Sequence, residues 1–265
     1  SKRLAHASQA LVQYLDTESD TQGEIRSPQD EVEDILTGFD FHLADLEQGD
    51  DVGDVVQRAF SQVTSAAMEL AAKFCVSYDV DRRTLPLQKL MDAVDQIGLH
   101  PAKLAQYLAV SFPLVLRRLA SLPRDPRWPD MGLVVCDSSG SLIQKKACAG
   151  FSLPRVGAGC VLWPLFTALH QPSVPIHRVI EHQGRPGDQM GPGPAPTFDS
   201  YSIAIPRPAN DLGAPVVFES TMLVVPRADD DQGAGGAQHV GATCRICSKT
   251  DCVARREPNV LSDGF

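Results

Sequence analysis

Leu119-Ala120-Ser121-Leu122-Pro123-Arg124-Asp125-Pro126-Arg127-Trp128-Pro129-Asp130-Met131-Gly132-Leu133-Val134-Val135-Cys136 is the stretch that decides the fold. Before Pro123 the apolar residues recur every three to four positions, the spacing of a helix face. After Pro126 they run as Leu133-Val134-Val135, a β-branched run bounded by Pro and Gly, which reads as a strand. The Pro-Arg-Asp-Pro sequence between them breaks either element. A domain boundary therefore falls near residue 124, and the fold class is α+β: an all-helical region over 1–123, then an antiparallel-sheet domain with flanking helices over 124–265.

Outward on the helical side, Ser27-Pro28 with Asp30 and Glu31 gives a capped helix start whose first turn is acidic, as the helix dipole favours. Val32, Ile35, Leu36, Phe39, Leu43 and Leu46 continue one apolar face. A longer stripe runs through Val52, Val55, Val56, Ala59, Phe60, Val63, Ala66, Ala67, Leu70, Ala71 and Phe74, which predicts one helix suited to the core, to pairing with a second copy or to transmitting a signal. Leu104 to Ser111 and Val115 to Leu119 form two helices joined at a Ser cap, a layout like a helix-turn-helix. Only Arg117 and Arg118 supply charge there for phosphates, so a structural corner is the expectation.

On the other side, Met131 to Cys136 and Ser141 to Cys148 flank Asp137-Ser138-Ser139-Gly140 as a hairpin. Further strands are expected at Pro175 to His182, Tyr201 to Pro206 and Val216 to Pro226, with loops at Gly184 to Pro196 and Ala228 to Gly236. Of 265 residues, 43% are hydrophobic and 22% charged, which excludes a globally disordered chain. The first 60 residues hold 14 acids against 4 bases and the remainder 19 against 20, which argues against DNA contact through the N-terminal part. No apolar run approaches the roughly 18 residues of a membrane span, and Ser1-Lys2-Arg3-Leu4 leads into no signal-like segment; a soluble, cytoplasmic protein is expected.

Seven cysteines, an odd number in a long chain, fit reduced thiols or metal ligands better than a disulfide framework. Cys244-Arg245-Ile246-Cys247-Ser248-Lys249-Thr250-Asp251-Cys252 reads C-x2-C-x4-C. Two thiolates two residues apart can turn to one centre, and a third can close on it if the chain bends. The best fourth donor is Cys160, in the glycine-rich Gly157-Ala158-Gly159-Cys160 segment before Trp163-Pro164, where a helix start would favour a thiolate. Spacing leaves a [4Fe-4S] cluster, a zinc ion or unmetallated redox thiols open. His170 and His239 are conceivable substitute ligands, and Cys75, Cys136 and Cys148 read as packing residues.

The combination of Gly150-Phe151, Arg155, Gly157-Ala158-Gly159-Cys160-Val161-Leu162-Trp163 and Cys244-Arg245-Ile246-Cys247…Cys252 resembles the C-terminal sensory domain of the short-chain fatty-acyl-CoA transcriptional regulators, the PrpR/RamB-like family. Leu104 to Leu122 is similar to the end of the ImmA/IrrE-like domain of those proteins. The resemblance covers roughly residues 100 to 260. It implies a ligand-controlled regulator that binds CoA or a short-chain acyl-CoA beside a [4Fe-4S] cluster on Cys160, Cys244, Cys247 and Cys252, and it sets the cluster above zinc. It also implies a homodimer that reaches DNA through an upstream helix-turn-helix. Nothing before residue 28 looks like that motif, no H-E-x-x-H occurs, and Val161 stands where the family commonly has Pro.

For phosphates, Lys145, Lys146, Arg155, Arg185 and Arg207 are candidate partners; for adenine or an acyl arm, Phe151, Trp163 and Tyr201. No G-x-S-x-G, Walker loop or paired-carboxylate motif is present, so the expectation is a non-enzyme, and Asp229-Asp230-Asp231 reads as a hydrated loop. The competing readings are a zinc-stapled interaction module and a thiol-based redox sensor without an acyl-CoA ligand.

Overall fold

The computed structural model of the chain describes residues 26–154, 158–183, 195–207, 213–227 and 236–259. Helix α1 (Pro28–Gly38) starts where its signals place it: the Ser27 hydroxyl accepts from the Asp30 N–H and Asp30 reaches back to the Ser27 N–H. It stops earlier than the apolar face suggested. Asp40 and Phe41 take positive φ of 52° and 59°, and the Phe41 N–H returns to the Leu36 carbonyl. Phe41, Leu43 and Leu46 still enter the same core, by way of this turn and the short α2 (Ala44–Gln48).

The long stripe from Val52 to Phe74 is not one helix. It divides into α3 (Val52–Ala59), capped by Asp51, and α4 (Ser65–Thr84), capped by Thr64. The break is held from outside, since the Thr64 N–H and hydroxyl both donate to the Glu31 carboxylate, at 2.7 and 2.9 Å. Both pieces face one core with α1, which explains why the periodicity survives the interruption.

Next come α5 (Leu87–Ile97), α6 (Pro101–Leu108) and α7 (Phe112–Ala120), the last two joined through Ala109 in the left-handed region and Ser111. The arginines that would serve a helix-turn-helix are spent internally. Arg117 makes two bonds to Asp81, at 2.6 and 2.8 Å. Arg118, 1% exposed, meets Glu47 at 2.6 Å and the Leu85 carbonyl at 3.0 Å. This corner is structural, as expected.

The sheet consists of β1 (Gly132–Asp137), β2 (Leu142–Lys146), β3 (Ile176–Gln183), β4 (Thr197–Pro206), β5 (Phe218–Pro226) and β6 (Gln238–Gly241), in the order β2-β1-β5-β4-β3-β6. All pairs are antiparallel except β3 with β6. The fold class is α+β, with the expected hairpin in place. The sequence reading missed β6, whose four residues carry no alternation, and began β4 four residues late.

Strand alternation sorts the sheet's two faces. Leu133, Val135, Ile203 and Leu223 join the apolar sides of α5, α6 and α7. Val134, Cys136, Met222 and Val224 point the other way, onto Phe151, Trp163 and Leu165 near α8 (Pro164–His170). Helices α1, α3 and α4 form a separate core. Among the described residues no helix is long and apolar enough to cross a membrane.

Candidate functional site

β6 lies against β3 at the sheet edge and delivers the chain to a 3-10 turn at Cys244–Ile246. The segment before α8 is sewn to it: the Cys160 N–H donates to the Ala242 carbonyl at 3.0 Å, and the buried Trp163 indole N–H to the Gly241 carbonyl at 2.9 Å. Two glycines permit this approach. A Cβ on Gly159 would lie 2.5 Å from the Trp163 ring, and one on Gly241 3.0 Å from Cys247 Sγ.

Cys160, Cys244, Cys247 and Cys252 thereby line one small cavity, together with Thr243, Ala254 and Arg255. Cys160 and Cys244 are buried and Cys247 and Cys252 half-buried, all four as free thiols. Burial pushes the Cys160 thiol above its ordinary value, against the lowering effect of N–H groups from Gly241 and Leu162. Nearby Cys244 and Cys247 push it up further. The expected thiolate-favouring helix start is thus outweighed by desolvation.

Neither His170 nor His239 lines the cavity; His170 is exposed and His239 bonds Glu181 at 2.8 Å. Cys75, Cys136 and Cys148 are buried elsewhere, as packing residues should be. Four thiol donors in one cavity are the donor set of Zn2+ and of iron-sulfur clusters, so the chemistry of the residues, though not yet their placement, suits either group. Among the described residues no group of three or more His, Cys, Asp or Glu side chains is placed to hold a metal ion.

Those of the residues singled out for a CoA ligand that the structure describes do not gather at one place. Lys145 sits 3.2 Å from Glu33 and 3.5 Å from Asp30. Lys146 is buried, its ammonium donating to the Ala120 carbonyl and to Asp130, each at 2.9 Å. Phe151 and Trp163 are core residues with ring centroids 5.6 Å apart, beneath the cysteine cavity. Tyr201 stacks on His177, and Arg207 holds Glu219 at 2.7 Å. Arg155 and Arg185 lie outside the described residues, as does Asp229-Asp230-Asp231.

A cleft of about 680 Å3 opens between α1, α4 and α7 on one side and the ends of β1, β2, β4 and β5 on the other. That volume lies within the range of small-molecule sites. Val32, Leu36, Phe74, Leu133 and Val135 give it apolar walls, and Lys73, Lys146 and Arg207 bring cations. The sequence pointed to Lys146 and Arg207 but not to Lys73 or Phe74. No local signal distinguishes those two from other residues of a helix. Also unforeseen were Arg255 and Arg256, whose bonds reach both parts of the cysteine set.

No family model matches the chain. Its fold is similar to that of a solved Mycobacterium tuberculosis transcriptional regulator, with a TM-score of 0.69 and 16% identity over 89% of this chain and 95% of that one. In sequence it is 24% identical over 208 residues to the propionyl-CoA carboxylase regulator of Cereibacter sphaeroides, 74% of this chain and 42% of that protein. It is 24% identical over 219 residues to the regulator PrpR of M. tuberculosis, 82% of this chain and 44% of that protein. With RamB of M. tuberculosis it shares 23% over 223 residues, 82% of this chain and 46% of the other. The chain thus spans less than half the length of these curated relatives, all named as regulators.

Proposed function

We propose that this chain is the effector-binding part of a transcriptional regulator and not an enzyme, sensing CoA or a short-chain acyl-CoA and carrying a [4Fe-4S] cluster on Cys160, Cys244, Cys247 and Cys252. In this reading it is cytoplasmic and dimeric, reaches DNA through a helix-turn-helix elsewhere in the protein, and keeps the end of an ImmA/IrrE-like domain in Leu104 to Leu122. The observation that carries it is the meeting of one lone cysteine with a trio some 84 residues away around one cavity. Four thiols on one cavity suit a cluster or a zinc ion alike, and the resemblance to the acyl-CoA regulators is what sets the cluster first. When bound, the cluster supplies a redox-active centre.

The chain's own residues do the rest. The Gly241 and Leu162 N–H groups stabilise the Cys160 thiolate. In the cleft, the exposed Lys73 offers charge to a phosphate, and Val32, Leu36, Leu133 and Val135 offer an apolar slot. A ligand there touches both the separate helical core and the sheet. It shifts their arrangement to the extent that it binds one arrangement better than the other.

An oxygen-free preparation assayed for iron, acid-labile sulfide and zinc tests the metal. Iron with sulfide supports the cluster; one zinc per chain moves the protein to the stapled-module reading; neither leaves the redox-thiol reading. A thermal-shift series with CoA, acetyl-CoA, propionyl-CoA and longer thioesters tests the ligand, and no stabilisation by any of them removes it.

A further inference from the structure

Residues 247–259 form neither helix nor strand, so their main-chain carbonyls have no ladder to satisfy them. Side chains take up that role, Arg255 more than any other, while Asn259 adds one bond from its amide N–H to the Cys247 carbonyl at 3.1 Å. Arg255 directs Nη1 to the carbonyls of Cys244 (3.2 Å) and Glu257 (3.3 Å), and Nη2 to those of Cys247 (3.1 Å) and Lys249. Its own N–H closes a turn on the Cys252 carbonyl at 3.1 Å. Four of the five guanidinium N–H groups are thus committed to the backbone that carries the cysteine trio. The neighbouring Arg256 reaches across to the Gly159 carbonyl at 2.8 Å, the residue before the lone Cys160.

We infer that Arg255-Arg256 is a positioning clip for the four-thiol site: Arg255 folds the trio's loop, Arg256 ties it to the Cys160 loop, and the site is formed before any metal arrives. The inference rests on the four-thiol reading above. Neither arginine touches a thiol through a bond of its own here; both act through carbonyls. That geometry needs a planar fork, which lysine lacks. Charge alone does not reproduce it.

The test uses the full chain, stripped of metal under reducing conditions, with hydrogen exchange of the amides in 243–252 and 158–163 read beside those of β4 and β5. In the native chain the two segments are protected without metal. Arg255→Ala and Arg255→Lys both raise exchange over 243–252 by about tenfold or more, as the loss of charge-assisted bonds requires, while β4 and β5 stay protected. Guanidinium ion at sub-denaturing concentration restores protection to Arg255→Ala. Arg256→Ala loosens 158–163 and leaves 243–252 ordered. Metal uptake by the arginine variants falls in parallel.

Native exchange over 243–252 as fast as in an unfolded chain overturns the proposal, as does an Arg255→Lys variant indistinguishable from the native protein. Should Arg255→Ala lose the protection of β4 and β5, Arg255→Lys and Arg256→Ala carry the test. The readout needs no metal, so a chain without iron or sulfide would sink the cluster reading and leave the clip standing. Unchanged exchange in the variants would do the reverse.

Discussion

Trp163 shows how single residues fix the cysteine site. Its ring fills the space that any Cβ on Gly159 would need, and its indole N–H anchors the Gly241 carbonyl, so one side chain sets the spacing between the two glycine turns that carry Cys160 and face Cys247. The seven thiols separate by environment in the same way. Burial pushes Cys75 up to about 11 and Cys136 and Cys148 up to about 12, which leaves almost no thiolate at mildly alkaline pH. Brief alkylation of the metal-free chain should label Cys247 and Cys252 first and these three last; early labelling of Cys136 would contradict the core placement. Arg118 is a buried cation held by Glu47 and lying over the Tyr78 ring at 5.5 Å. Arg118→Ala leaves Glu47 uncompensated and should cost about 3–5 kcal/mol in urea unfolding, the range for breaking a buried pair. The sequence offered Arg118 only as a charge for phosphates in a corner laid out like a helix-turn-helix. Its partner stands 71 residues away, and no local pattern announces such a pairing.

At the scale of elements, the sequence located the start of α1 at Ser27 but neither its end nor the start of α4. Ser27, Asp51 and Thr64 all cap as their chemistry dictates, yet the gap between α3 and α4 depends on Glu31, a residue of α1. A periodic stripe cannot report a break that leaves both pieces on the same core. The contact between α1 and β2 carries a titratable group. Burial raises the Glu33 carboxyl above its ordinary value of 4.5, with Lys145 and Gln29 pulling the other way and burial prevailing. The folded chain then holds this proton more tightly than the unfolded one, so stability falls as pH climbs from the ordinary carboxylate range through the raised native value, and stays lower above it. Urea unfolding across that window should show the decline in the native protein and a flatter profile in Glu33→Gln. Identical profiles would mean that Glu33 is not the group responsible.

For the whole molecule, the cleft is the feature that neither half makes alone. Its walls belong to the α1–α4 core and its floor to β1, so its occupancy bears on how the two pack. Ser77 is an exposed residue at its lining, and if the proposed acyl-CoA site is this cleft, Ser77→Trp should fill the space with little loss of stability while weakening that binding at least about tenfold, one methylene-scale pocket change being already worth that much. Retained affinity, read by titration calorimetry, would place the ligand elsewhere. The order of helices before strands, the hairpin, the Ser27 cap and the C-x2-C-x4-C spacing were determined by the sequence alone, because each depends on neighbours within a turn or two of the chain. The tertiary structure alone decided that Cys160 meets the trio, that Lys145, Lys146, Arg117 and Arg118 are spent on internal partners, and that Lys73 and Phe74 border a cleft. Those outcomes depend on pairings across tens of residues, where burial and charge satisfaction select among contacts that local chemistry leaves equal.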